Sequence, residues 1–503
     1  MKKLKKKSPP KKPLPDSSEW TFELIEQYHT EIARIAKNFG LDTFPNVLEV
    51  ITAEQMMDAY ASVGMPIRYN HWSFGKMFLQ TQQGYQRGQM GLAYEIVINS
   101  NPCIAYLMEE NSLTMQALVI AHAGYGHNSF FKNNYLFKIW TNADSIIDYL
   151  LFSKKYIAEC EERYGEETVE HFLDSCHAIM NHGVDRYKRP ASLSLQEEKN
   201  RQEEREKYIQ SRVNALWRTI PKKEQQELEK EERFPEEPQE NLLYFIEKNA
   251  PQLEPWQREV VRIVRKTAQY FYPQRQTQVM NEGWATFWHY TILNKMYDEG
   301  LVSDRFIMEF LHTHTNVTFQ PDFDSPYYSG INPYALGFAM MTDIRRICEN
   351  PTKEDEQWFP DIAHSNWIET LDFAMRNFKD ESFIAQYLSP HLIRKFKFFS
   401  LLDDDQKKTY EVTAIHNDDG YKEIRQRLAN QHNLGYMEPN IQVYKVDRFG
   451  DRCLTLRHYS HNRRPLGSST QEVMKHLKRL WGFPVRLQSQ SPDGTVKMIS
   501  EIP

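Results

Sequence analysis

Residues 119–131, VIAHAGYGHNSFF, decide how this chain is read. Two histidines, His122 and His127, stand five residues apart near the end of an apolar run, LTMQALVIAHAGYGH, that Ser112 can cap as a helix. On a regular α-helix, at about 100° per residue, rings five apart point roughly 140° away from each other. They converge only where the helix bulges or breaks, and Gly124 and Gly126 make either option cheap. The preceding segment 92–108, LAYEIVINSNPCIAYLM, has a different character. It is rich in β-branched and aromatic residues and is interrupted by an Asn-Ser-Asn-Pro turn, which predicts a hairpin or two short strands. The expected fold is therefore mostly α, with a short β-hairpin region before the His helix.

That strand-then-helix order is how zinc peptidases of the HExxH class present two ligands, there spaced i, i+4 on one helix face. Here the spacing is one residue longer, and Ala123 stands where the general base would be. A second stretch, TQVMNEGWATFWHY, places Glu282 within Asn-Glu-Gly-Trp-Ala, 155 residues after His127. It resembles the Asn-Glu-Gly-aromatic-Ala helix that supplies the third zinc ligand in gluzincin peptidases. His289 follows Glu282 by seven residues, hence on nearly the same helix face. It is read as a further ligand, a supporting group or a proton donor. Two histidines, one carboxylate and an open position would form a catalytic metal site, zinc being the expected divalent ion. The competing reading of the same histidines is helix-end capping and core packing.

Glu95, Glu109 and Glu110 precede the His helix and are candidate replacements for the base, against a plainer reading as strand or surface carboxylates. His177 and His182 repeat the five-residue spacing; His177 either joins or supports the metal or is a hydrogen-bonded interior group. His312 and His314 sit near a helix end, and His71 lies in a loop beside Trp72, where core packing is the first reading.

Composition narrows the remaining choices. The 503 residues carry 62 basic and 68 acidic side chains, a formal net charge of −6, which gives no general reason to bind nucleic acid. Five scattered cysteines without a CxxC pair argue against a disulfide framework or a cysteine zinc ribbon, and suit a reducing cytoplasm. The N-terminal lysine cluster lacks a following apolar stretch, so it is not read as a secretory signal, and no run approaches a membrane span. Nucleotide-binding glycine motifs and a GxSxG elbow are absent.

The expected organisation is a disordered basic tail over 1–15, a large helical domain over 16–395 and a small α+β domain over 396–503. Asp16 or Ser17 is expected to cap a first helix carrying Trp20, Leu24, Tyr28, Ile32 and Ile35. Helices are expected around 143–164 and 166–183, and near Gln239, Pro255 and Thr277, with Asn332 capping another and Pro333 in its first turn. The charged stretch 194–233 reads as a solvated helical insertion. In the last domain, 418–432 and 469–481 read as helices among hairpins, and Arg457, His458, Arg463 and Arg464 as a solvated basic patch.

Several long segments together resemble the SpoVR family, named for the stage V sporulation protein R: EQMMDAYASVGMPIRYNHWSFGK, GLAYEIVINSNPCIAYLMEEN, AHAGYGHNSFFKNNYLF, DSCHAIMNHGVDRY, QENLLYFIEKNAP and QTQVMNEGWATFWHYTI. The resemblance runs from about Trp20 into the C-terminal domain and looks nearest to the versions in non-sporulating proteobacteria. It implies a cytoplasmic protein, linked in spore formers to the cortex and elsewhere to stationary-phase stress. It further implies a setting beside a PrkA-type serine kinase and a protein with a von Willebrand-like domain. It brings no settled activity. The residues leave two readings open: a metal-dependent hydrolase of peptide or amide bonds, cell-wall related, or a non-enzymatic regulatory scaffold whose metal is structural.

Overall fold

The computed structural model describes residues 12–61, 68–73, 95–185, 234–235, 237–402, 411–414, 416–460 and 465–503. The expected charged helix over 194–233, most of the basic tail, Arg463 and Arg464 lie outside the described residues. As expected, the protein is mostly helical, with small sheets and a four-stranded sheet near the C-terminus. By contacts it forms two compact units, residues 1–170 with 269–438, and residues 171–268 with 439–503.

The first unit begins with α1 (Phe22–Asn38), which buries Ile25, Tyr28, Ile32, Ile35 and Ala36 at helical spacing. Its cap is Thr21, whose side chain accepts from the Leu24 amide, not Asp16 or Ser17 as the sequence predicts. Asp16 instead takes Arg305 and Ser303, a tertiary partnership that local sequence does not announce. A three-stranded sheet follows, β1 (Asn46–Ile51), β2 (Glu95–Ile98) and β3 (Cys103–Met108), with α2 (Ala53–Ala61) after β1. The expected hairpin is β2–β3, antiparallel from Glu95↔Leu107 to Ile98↔Ile104. Strand β1 lies parallel on the other side of β3, from Asn46↔Cys103 to Ile51↔Met108, a strand that the expected helical domain does not include. β3 is therefore central, and only Ile104 of its six residues is not buried.

Ser112 accepts from the Met115 amide and caps α3 (Leu113–Val119). The chain then widens into a π-helix over Ile120–His127 and narrows again into α4 (Asn128–Asn133). Helices α5 (Tyr135–Trp140) and α6 (Ile146–Tyr164) complete the N-terminal half of this unit. Its second half is built from α7 (Gln278–Asp298), α8 (Asp304–Val317), α9 (Pro333–Glu349) and shorter helices ending at Gln431 and Met437. Asn332 caps α9 with Pro333 in its first turn, as predicted.

Helix α7 is the axis of the unit and is buried on nearly every side. No local side chain caps it. The buried Asp380 carboxylate does so from a distance, accepting from the amides of Val279 (2.9 Å) and Met280 (2.8 Å). Trp284 and Trp288 are fully buried and meet edge to face at 5.5 Å. Helix α9 crosses α7 at two glycines: a Cβ on Gly283 would fall 2.4 Å from Gly337 backbone atoms, and one on Gly337 2.2 Å from the Val279 carbonyl.

In the second unit, strands β6 (Asn440–Val446), β7 (Leu454–Tyr459), β8 (Val485–Gln490) and β9 (Val496–Ile502) form a sheet in that order. Only β7–β8 is parallel, and the helix Thr470–Trp481 makes that connection. The buried Trp481 stacks on Phe245 at 6.0 Å and donates from Nε1 to the Arg452 carbonyl at 2.8 Å. The strands β4 (Ser400–Leu402) and β5 (Glu411–Ala414) form a separate antiparallel pair within the first unit.

The Gly283–Gly337 crossing should not tolerate a methyl group. Gly283→Ala is expected to cost ~1–3 kcal/mol of stability in urea unfolding. Gly467→Ala, where the nearest atom is Ser469 Oγ at 3.9 Å, should stay within about 0.5 kcal/mol.

Candidate metal centre

The π-helix resolves the spacing of the two histidines. Its i→i+5 hydrogen bonds put residues five apart on the same face, so His122 and His127 meet edge to face with ring centroids 4.6 Å apart. The wide turn is braced at both of its glycine carbonyls. Asn46, at the start of β1, donates to the Gly124 carbonyl at 3.0 Å, and Ser129 Oγ donates to the Gly126 carbonyl at 2.9 Å. Asn128 ties the end of the turn to Phe44 and Asn46. Gly126 lets α7 approach, since a Cβ there would fall 2.5 Å from Ala285 Cα.

Two carboxylates reach the paired rings, Glu95 from the first residue of β2 and Glu282 from α7. His122 Nε2 lies 3.1 Å from Glu95 Oε1 and 3.7 Å from Glu282 Oε2. His127 Nε2 lies 3.7 Å from the same Glu95 atom and 3.5 Å from the same Glu282 atom. Ligands about 2.1 Å from a tetrahedral ion are separated by about 3.4 Å. The four distances straddle that edge length.

The outward ring nitrogens are also engaged. His127 Nδ1 is 2.9 Å from Asn281 Oδ1. His122 Nδ1 is 2.8 Å from His289 Nδ1, and His289 Nε2 is 2.9 Å from His314 Nδ1 on α8. Tyr334, in the first turn of α9, hydrogen-bonds Glu282. Such outer contacts fix ring orientation and tautomer in metal sites.

Burial sets the charges. It lowers the pKa of His122 to about 4 and of His314 to about 4, and holds His289 well below the ordinary imidazole range, so these rings are neutral at pH 7. Burial, then the Glu282 charge, raises the Glu95 carboxyl well above its ordinary value. Burial pushes Glu282 up as well, but the His127 and His122 rings and the Tyr334 hydrogen bond outweigh it and hold this carboxyl below the usual range. Glu95 and Glu282 keep 16% and 19% side-chain exposure, although the Oε2 atom of each is itself buried.

The donor set fits a divalent ion. Glu282 Oε2 is buried without a hydrogen bond, though two imidazole nitrogens lie within 3.7 Å of it. With both carboxylates ionised and both imidazoles offering a lone pair, the donor set would carry two negative charges, which a divalent cation would cancel. Imidazole and carboxylate donors suit zinc among such ions.

Of the residues singled out from sequence, His122, His127, Glu282, His289 and Glu95 come together here. Glu109 and Glu110 do not: they are exposed in the turn after β3, where the Glu109 carbonyl accepts from Trp20 Nε1 at 2.9 Å. His177 lies on the helix Glu166–Ala178, in the second unit, and is not among the residues gathered at this centre. His312 is exposed, whereas its neighbour His314 is buried and reaches His289. His71 is buried, with Nδ1 2.7 Å from Ser73 Oγ. Tyr334, one residue after Pro333, and Asn281, beside Glu282, also serve the centre, and no local sequence pattern marks either for that role.

Comparison with known proteins places the chain in a family. Residues 19–437 match the family model described as SpoVR like protein, and residues 439–492 match the SpoVR-like C-terminal domain. The chain belongs to the SpoVR family. It is 66% identical over 491 residues to a protein of Escherichia coli (strain K12) described as "Uncharacterized protein YcgB", covering 97% of this chain and 96% of that one. No solved structure matches. No helix among the described residues is long and apolar enough to cross a membrane.

The raised Glu95 pKa has a signed consequence for the metal-free protein. A carboxyl whose folded pKa exceeds its unfolded value destabilises the fold above the unfolded pKa, and that penalty vanishes where both states are protonated. Metal-free Glu95→Gln should therefore melt above wild type at pH 7–8. The difference should shrink to nothing below about pH 4. Thermal unfolding in a chelator across that range is the measurement.

Proposed function

We propose that this SpoVR protein is a hydrolase of peptide or amide bonds that uses one divalent metal ion, zinc being the expected one. The observation that carries the reading is the cluster of His122, His127 and Glu95, whose ligand atoms lie within 4.8 Å of one another, with Glu282 Oε2 3.7 and 3.5 Å from the two imidazole Nε2 atoms. His122, His127 and Glu282 would hold the ion. When bound, the ion supplies Lewis acidity, favouring ionisation of water and polarising a carbonyl.

The split between the two carboxylates supports distinct roles for them. Glu282 stays ionised, as a ligand must, while Glu95 has the raised proton affinity of a general acid–base. Glu95 takes a proton as a water oxygen bonds to the scissile carbonyl carbon. It returns that proton to the nitrogen as the C–N bond breaks. Asn281 holds the His127 ring through Nδ1, and Tyr334 steadies Glu282. In this reading Glu95, entering from a strand, supplies the base that Ala123 lacks.

The class of substrate to try first is the short peptides of cell-wall precursors, because the family is linked to the spore cortex. A setting of stationary-phase stress, beside a PrkA-type serine kinase and a von Willebrand-like protein, rests on the same family resemblance.

Elemental analysis of the purified full chain should find close to one zinc or other divalent ion per molecule. His122→Ala and Glu282→Ala should lose it. Glu95→Gln should keep the ion and lose ~10²–10⁴ of the rate of amide cleavage on a panel of wall peptides. A Glu95→Gln protein that loses the ion along with the rate would make Glu95 a fourth ligand and the site a closed, structural one.

A further inference from the structure

We infer that His289 and His314 form an outer-shell imidazole chain that positions His122 for metal binding, with one hydrogen-bond direction running outward from the centre to His314. The inference rests on the metal reading above and assigns a role to two residues beyond the ligand set.

The chain is continuous. His122 Nδ1 and His289 Nδ1 are 2.8 Å apart, and His289 Nε2 and His314 Nδ1 are 2.9 Å apart. All three rings are buried. His289 reaches His122 because it stands seven residues after Glu282 on α7, on the same helix face. His314 arrives from α8 and is enclosed by the rings of Tyr290 (4.8 Å), Phe310 (5.9 Å) and Phe338 (4.7 Å). Among the described residues, no carboxylate hydrogen-bonds or ion-pairs with His289 or His314.

A neutral imidazole has one N–H and one lone pair, so each ring in such a chain dictates the next. A His122 lone pair on Nε2, facing Glu95 and Glu282, puts the proton on Nδ1. That N–H donates to His289 Nδ1. His289 then carries its proton on Nε2 and donates to His314 Nδ1, which leaves the His314 proton on its own Nε2. The reverse direction would place a proton on His122 Nε2, in the space the cation needs. The two extra rings thus tie their tautomers to that of His122, so that a metal-binding lone pair on His122 Nε2 sets the direction of the whole chain.

The choice of imidazole over carboxylate also has a reason. A metal-bound histidine more often passes its N–H to a carboxylate, carbonyl or water. A third carboxylate here would add a negative charge to a centre already balanced by Glu95 and Glu282. A histidine accepts the same hydrogen bond and leaves the charge unchanged.

The test uses the full chain, stripped with chelator and titrated with Co²⁺, whose visible bands report coordination, and with Zn²⁺ in competition. His289→Leu removes both hydrogen bonds. His289→Gln keeps an acceptor for His122 and a donor for His314. His314→Leu touches no ligand. We expect His289→Leu to bind Co²⁺ ~10–100-fold more weakly with altered bands, and His289→Gln to return within a few-fold of wild type with wild-type bands. His314→Leu should show an intermediate loss, on the order of a few-fold, at unchanged secondary structure by circular dichroism. Wild-type affinity and spectrum in His289→Leu would overturn the inference while leaving the metal reading intact. So would a His289→Gln protein that folds but binds as poorly as His289→Leu, since the ring rather than its hydrogen bonds would then be what matters. A wild-type chain that takes up no divalent ion overturns both.

Discussion

The site depends on one backbone choice, the i→i+5 register of Ile120–His127. An α-helical turn there would send His122 and His127 to different faces, and neither β2 nor α7 could then meet both. A π turn is costly because it loosens packing along the helix axis and strands carbonyls from regular partners. The surrounding structure compensates at the places where the turn is widest. Asn46 serves the Gly124 carbonyl and Ser129 serves the Gly126 carbonyl. Trp284 Nε1 donates to Ser129 Oγ at 2.9 Å, so α7 takes part in the bracing. A wide turn held by contacts from several elements is the pattern expected of a functional site.

Asn281-Glu282-Gly283-Trp284-Ala285 is the counterpart on α7, and its five residues divide the work among them. Asn281 orients His127, and Glu282 enters the centre. Gly283 admits α9, which carries Tyr334 to Glu282. Trp284 bonds the serine that braces the π turn, and Ala285 is small enough to sit against Gly126. Successive residues on a helix point about 100° apart, so a five-residue run can address five neighbours at once. Asp380 anchors the first turn of this helix and so fixes the height at which Glu282 stands.

What could be read from sequence follows the same division. The hairpin, the Ser112 and Asn332 caps and the long helices were legible because each is written in local composition and periodicity. The histidine pair and Glu282 were legible because each sits in a compact motif. The π register was left open: the spacing and the glycines admitted a bulge without requiring one, and the bracing residues come from β1, α4 and α7. β1 went unseen because a six-residue strand, NVLEVI, gains its identity from pairing with β3. Tyr334 and His314 were missed or read plainly for a related reason. Their roles depend on where α8 and α9 dock, which no local pattern encodes.

The missing glutamate at position 123 then has a structural sense. In an α-helical His pair spaced i, i+4, the residue after the first ligand can lean over the metal face. A π turn holds fewer degrees of rotation per residue, and Ala123 is fully buried in the core of the unit. A carboxylate there would face packed side chains, where burial of a charge is severely unfavourable. A carboxylate is instead brought from the opposite side, on the end of β2, where Glu95 keeps partial exposure and lies 3.1 Å from His122 Nε2. The wide turn and the Glu95 carboxylate are thus one arrangement: the first brings both histidines to one face, and the second places a carboxylate beside them.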